Sequence, residues 1–177
     1  MSSFGEDGRI IDDVHSISDY TRHLLTHSEL EDIKPFELLL NWWKQENEDK
    51  QHLPSRSDFN PVAFQEILPN IAIFEPIYSD EKLSDFITTL IGTKLTDVYG
   101  EVTGDLVSSF SNEYVVQTVF DTGKECLQRR EPIGVTSKAA SSELPFSRSY
   151  ALYCPLATDH IHIDKLLVLV TFDKMVK

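Results

Sequence analysis

His160 and His162 lie two residues apart between Asp159 and Asp164. In an extended segment that spacing sets both imidazoles on one face with carboxylates nearby, the donor types that a divalent metal takes. The spacing supplies no third ligand, so no metal site is assigned. Arg56 and Asp58 sit beside Phe59 on a loop bounded by Pro54 and Pro61, where they could face a protein partner or an anionic ligand. A structural role competes and is favoured: Asp58 accepts backbone N–H groups at the following turn, while Arg56 pairs with a carboxylate or caps a helix C-terminus. No nucleophile is matched to a base, and GxSxG, HExxH and glycine-rich phosphate motifs are missing, so no residue is assigned a catalytic role.

Non-covalent binding is a second kind of chemistry. Tyr114, Phe120, Thr136, Tyr150 and Tyr153 combine amphipathic rings with a hydroxyl, which can line an apolar cavity and orient a small metabolite. Simple core packing explains the same residues. Trp42 and Trp43, next to Leu38, Leu39 and Leu40, are more aromatic surface than one side of a sheet need hide, and this motivates a homodimer.

The formal net charge of −13 over 177 residues works against nucleic acid and anionic membranes, both of which need clustered Lys and Arg. Lys124, Arg129 and Arg130 form a small basic group, read as cations favourably placed in the last turn of a helix. No apolar run reaches the ~18 residues of a membrane-spanning helix. Met1 to Asp13 lacks the basic start and apolar block of a secretory signal, which places the chain in the cytoplasm. Cys126 and Cys154 lie in apolar segments without CxxC spacing and read as small buried hydrophobes in a reducing compartment. His15, His23, His27 and His52 are dispersed and read as solvated.

These residues need a scaffold, and the pattern supplies one. Residues 1–32 are polar and read as an N-terminal arm, partly ordered or helical; residues 33–177 read as one domain. Phe36, Leu39, Leu40 and Trp43 follow the i, i+3, i+4, i+7 spacing of a helix face. Asn60 and Pro61 are an N-cap and first-position pair that opens a short helix. Segments 70–77 and 85–91 read as a hairpin, 93–99 and 105–110 as short helical turns, and 112–130 as a longer helix whose Gly123 permits close packing. Three strands follow, 133–140, 147–155 and 166–173. In the last, Leu166, Val168 and Val170 alternate with Leu167 and Leu169, so both faces of the sheet must be covered. The Phe36–Trp43 helix is the candidate for the face that the crossover helices leave open, within its own chain or across a dimer.

The wording of the turns carries a resemblance. Leu53-Pro54-Ser55-Arg56-Ser57-Asp58-Phe59-Asn60-Pro61, Leu68-Pro69-Asn70-Ile71, Ile91-Gly92-Thr93 and Gly100-Glu101-Val102-Thr103-Gly104, in this element order, resemble the family of small stand-alone bacterial PAS proteins over about residues 35–173. The resemblance implies an α+β fold: a five-stranded antiparallel sheet with a helical crossover on one face and an N-terminal helix covering the other. It also implies a noncatalytic role in sensing or protein interaction, read out by a separate regulatory or signalling partner. Within such a family histidine-ligated haem is disfavoured, because residues 93–130 contain no histidine. Photoactive flavin is disfavoured because the Asn-Cys-Arg-Phe-Leu-Gln phrase is absent; Cys126 stands in Lys124-Glu125-Cys126-Leu127-Gln128 instead. The cofactor is thereby left open. The alternative is a small cone-shaped α+β isomerase or dehydratase, which would place its long helices before its strands.

Overall fold

Antiparallel pairing joins all six strands of the one sheet in the computed structural model, which describes residues 22–47, 52–138 and 148–173. In chain order these are β1 (Arg22–Leu24), α1 (His27–Asp32), α2 (Lys34–Glu46), β2 (Ile71–Ser79), β3 (Lys82–Ile91), α3 (Thr93–Tyr99), α4 (Glu113–Arg129), β4 (Ile133–Lys138), β5 (Arg148–Leu156) and β6 (Lys165–Phe172). The sheet order is β1-β4-β5-β6-β2-β3. β2 and β3 form the expected hairpin, closed by Asp80 and Glu81 with φ of 51° and 66°, the positive values a favoured two-residue turn requires. β4, β5 and β6 form the expected meander.

The sheet has one strand more than the five expected. β1 adds to the free edge of β4, with His23 opposite Thr136, and Leu25 N–H extends the pairing to Gly134 O at 2.8 Å. Three residues are too short to show a period of two, so the strand is invisible to pattern. Of the 1–32 segment, residues 22–32 are described and carry β1 and α1; the rest lies outside the described residues. α1 opens on a capping box, with Glu29 N–H donating to Thr26 Oγ1 and Thr26 N–H to the Glu29 carboxylate. It delivers Leu30 to the interior.

Strand parity divides the core in two. Ala72, Phe74, Ala151, Tyr153, Leu166 and Val168 face α4, which contributes Val116, Val119, Phe120 and Cys126. Ile71, Ile73, Leu152, Cys154, Leu167 and Leu169 face α2, which contributes Phe36, Leu39, Leu40, Trp42 and Trp43. Both faces are thus covered within one chain. This corrects the reading of Trp42 and Trp43 as surface for a second copy. Trp42 is 9% and Trp43 4% exposed; Trp42 packs edge-on to Phe59 at 5.2 Å, and Trp43 Nε1 donates to Pro155 O at 2.8 Å. A buried indole N–H needs such an acceptor.

Two glycines mark close approach. A methyl at Gly123 would stand 2.7 Å from the Phe86 ring, so α4 lies directly on the sheet as its glycine suggested. At Gly92, whose φ is an ordinary −72°, the obstacle is backbone: an added Cβ would meet Pro69 O at 2.4 Å and Leu68 O at 2.5 Å. Gly92 N–H also donates to Ile71 O at 2.7 Å. The chain here cannot yield as a side chain does, so Gly92→Ala should destabilise the fold by roughly 1–3 kcal/mol. The urea midpoint should fall with little change in slope; an unshifted midpoint would show that the two segments do not press together.

Candidate functional site

Where α3 and the first half of α4 cross the sheet, packing is incomplete and leaves a cavity of about 90 Å³. Ala72 and Phe74 from β2, Ala151 and Tyr153 from β5, and Val168 and Val170 from β6 form the floor. Leu95 and Tyr99 from α3, Phe110, and Tyr114, Val115, Thr118 and Val119 from α4 form the roof. Asn112 sets the pitch of that roof, its side-chain oxygen accepting from Tyr114 N–H at 3.1 Å and Val115 N–H at 3.2 Å. Positions 114, 115, 118 and 119 share one stripe of the helix, and the valines and hydroxyl residues there fill less than the Phe120 below them.

Among the described residues, no Asp, Glu, Lys, Arg or His lines the cavity. Its polar groups are hydroxyls. Thr118 Oγ1 donates to Tyr114 O at 2.8 Å and lies 3.3 Å from Ser137 Oγ; Ser149 and the phenols of Tyr99, Tyr114 and Tyr153 complete the set. Burial raises the Tyr99 phenol above its ordinary value, so it stays protonated at neutral pH and is a hydrogen-bond group rather than an ion. The site can hold a molecule by apolar contact and one or two hydrogen bonds.

Of the five residues expected to line a pocket, Tyr114 and Tyr153 do so. The other three do not, which corrects the sequence reading. Phe120 lies deeper on the same face, fully buried and edge-on to Phe86 at 5.5 Å. Thr136 and Tyr150 are register partners that face the opposite layer; Tyr150 packs on the α2 core, and Thr136 Oγ1 donates to Ser149 O at 3.0 Å. Tyr150 and Tyr153 are three residues apart on one strand, so they could not share a face. The residues missed were their neighbours Ser137 and Ser149, and Tyr99 and Thr118. Parity counted from Val135 and Ala151 would have found the serines.

Arg56 and Asp58 form a structural turn. Ser55 N–H donates to Asp58 Oδ2 at 2.9 Å, Arg56 lies 5.7 Å over the Phe59 ring, and its guanidinium reaches Phe59 O at 3.5 Å. The loop is stitched to the β5–β6 connection by Leu53 N–H to His160 O at 2.9 Å and Ala157 N–H to Pro54 O at 2.8 Å. The two histidines diverge: His160 Nδ1 is 2.9 Å from Leu53 O with its ring stacked on His52, while His162 Nδ1 is 2.6 Å from Asp159 Oδ2. Among the described residues no His, Cys, Asp and Glu cluster has metal-binding geometry. In the basic group at the end of α4, Arg129 pairs within the helix with Glu125 at 3.0 Å, while Arg130 reaches across to the β5–β6 connection and donates to Ile161 O at 2.6 Å. Sequence reasoning also missed Asp85, a buried carboxylate that accepts from Phe86 N–H at 2.8 Å and from both the N–H and hydroxyl of Ser108. It ties β3 to the Val107–Ser109 turn.

Among known protein families, a model described as a PAS domain matches residues 32–170. No curated protein and no solved structure matches the chain.

Nucleophilic thiol chemistry finds no foothold. Burial raises both Cys126 and Cys154, and for Cys126 the nearby Cys154, Glu125 and Glu131 raise it further. Both folded values lie above the ordinary 9.0, so the stability they contribute is whole below that pH and declines as pH rises past it. The native protein should resist a disulfide reagent at about pH 8, with both thiols reacting once guanidinium unfolds it. Rapid labelling of the native state would place a thiol at the surface.

Proposed function

The chain belongs to the PAS domain family, and from that premise we propose that it is a noncatalytic sensory module whose cavity holds a small metabolite. The observation that carries this reading is the cavity itself: β6 is buried from Leu166 to Leu169 beside it, yet its floor ends in alanine and serine, at Ala72, Ala151, Ser137 and Ser149. Close-packed interiors tolerate such gaps at a stability penalty, and an internal ligand supplies the missing contacts. The absence of charge in the lining, and of any nucleophile paired with a base, supports binding over turnover.

The bound state is read by a regulatory or signalling protein in the cytoplasm. The net charge of −13 disfavours nucleic acid and anionic membrane as that reader, and among the described residues no helix is long and apolar enough to cross a membrane. Occupancy alters how α3 and α4 rest on the sheet, which is the surface a partner can sense.

Native mass spectrometry of gently purified protein should show an added small organic mass. Ala151→Leu and Ala72→Val, which fill the floor, should remove it while leaving the circular dichroism unchanged. With no ligand to lose, the same fillings would instead raise the melting temperature, a gain of about 0.5–2 kcal/mol. Absence of the mass from wild type together with that gain would overturn the ligand reading.

A further inference from the structure

A second groove, of about 390 Å³, adjoins the cavity along the segment between α3 and the Val107–Ser109 turn. Tyr99, Val102, Phe110 and Val115 line both spaces, so these side chains stand where the two meet. One of them, Val102, lies on a segment bounded by two glycines. Gly100 and Gly104 bracket it with φ of 89° and 87°, values that a side-chain-bearing residue rarely adopts. An added Cβ would meet nothing within 4 Å at either glycine, so backbone conformation and not crowding is what calls for them.

The ends of the segment are anchored and its middle is not. Gly100 N–H donates to Thr96 O at 2.8 Å and Gly104 N–H to Thr88 O at 2.7 Å, with Thr88 N–H returning a bond to Asp105 O. Between them, the bonds of residues 101–103 stay local: Thr103 N–H to Glu101 Oε1 at 2.9 Å and Asp105 N–H to Val102 O at 2.9 Å. Rotation about two glycines can lift Val102 without breaking a bond to the sheet or to either helix. At about 90 Å³ the cavity is smaller than the ~150 Å³ void that admits benzene, so a larger guest needs the groove as well.

Charge decides which guest. Among the described residues, Asp105 is the only charged residue that lines the groove, and none lines the cavity. The Asp105 carboxylate makes no hydrogen bond or ion pair among the described residues and is exposed. A carboxylate that lacks partners accepts hydrogen bonds and repels anions.

We propose that residues 100–104 form a flap, and that the cavity and groove joined beneath it take an amphipathic molecule with an apolar body and a hydrogen-bond-donating head, excluding anionic amphiphiles. The apolar body lies against Phe74, Val168 and the Thr118–Ser137 pair; the head donates to Asp105. The proposal rests on the ligand-holding reading above, and its test separates the two.

1-Hexanol and hexanoate, alike in chain length, are titrated into the full chain at neutral pH by ligand-observed NMR. 1-Hexanol should bind, and hexanoate about tenfold more weakly or worse. Asp105→Asn should raise the affinity of hexanoate and leave that of 1-hexanol within about twofold, since the amide oxygen still accepts. Val102→Trp, or Val102→Phe should the larger ring perturb the fold, should slow exchange of 1-hexanol by about tenfold or more, as a blocked passage does. Equal binding of the two probes, or an unchanged preference in Asp105→Asn, would overturn the ligand class. Unaltered exchange in the Val102 variants, with binding still abolished by Ala151→Leu, would overturn the flap and leave the cavity reading standing. Failure of 1-hexanol to bind wild type would overturn this proposal, while a copurified mass in the same sample would preserve the ligand-holding function.

Discussion

A strand that is apolar on both sides governs this molecule. Leu166, Leu167, Val168 and Leu169 on β6 are each no more than 1% exposed, which requires a full layer of side chains above the sheet and another below. α3 and α4 can supply only the first. The second must come from before the hairpin, and α2 brings it with Phe36, Leu39, Leu40, Trp42 and Trp43. Once both layers are in place the sheet cannot slip by one residue, because every strand would exchange its two apolar sets.

The turn-dense stretch after α2 follows from the same constraint. A cover helix joined to the sheet through a long connection needs its return path fixed, and the Leu53–Pro54 pairing to His160 and Ala157 fixes it. Phe59 stacks on Phe64 at 4.6 Å, and both rings meet Trp42, so the loop closes the open end of the second core. Arg56 and Asp58, the most conspicuous charges of that stretch, hold the turn in shape and are half-buried doing so.

The two layers differ in what fills them. The α2 layer is built largely of aromatic and leucine side chains, with a groove left where Leu30, Leu40 and Trp43 meet the start of β4. The α4 layer is dense toward Phe86, Phe120 and Gly123, then gives way to valines, hydroxyls and alanines near Tyr99 and Tyr114. Position along one helix thus separates a tightly packed half from a half that leaves space above the sheet. The free edge of β3 is shielded beside that half, where Ile87 bridges to Leu106 and Asp85 holds the Val107–Ser109 turn, so the strand edge is not left open for pairing there.

Much of the architecture was legible from residue order, since the signals are local. Alternation in β2 and β6, the 3.6-residue face of α2 and α4, the Asn60 cap and the glycine at 123 each act over a few residues and each took its expected place. What tertiary structure alone decided depends on registration between distant segments. β1 exists because the edge of β4 is there to pair with. The tryptophans are interior because Pro155 and Phe59 come to meet them. The cavity is bounded by Ser137 and Ser149 in place of Thr136 and Tyr150 because a shift of one residue along a strand sends a side chain to the other layer. Sequence determined which surfaces had to be hidden; only the closed fold determined where hiding them left room.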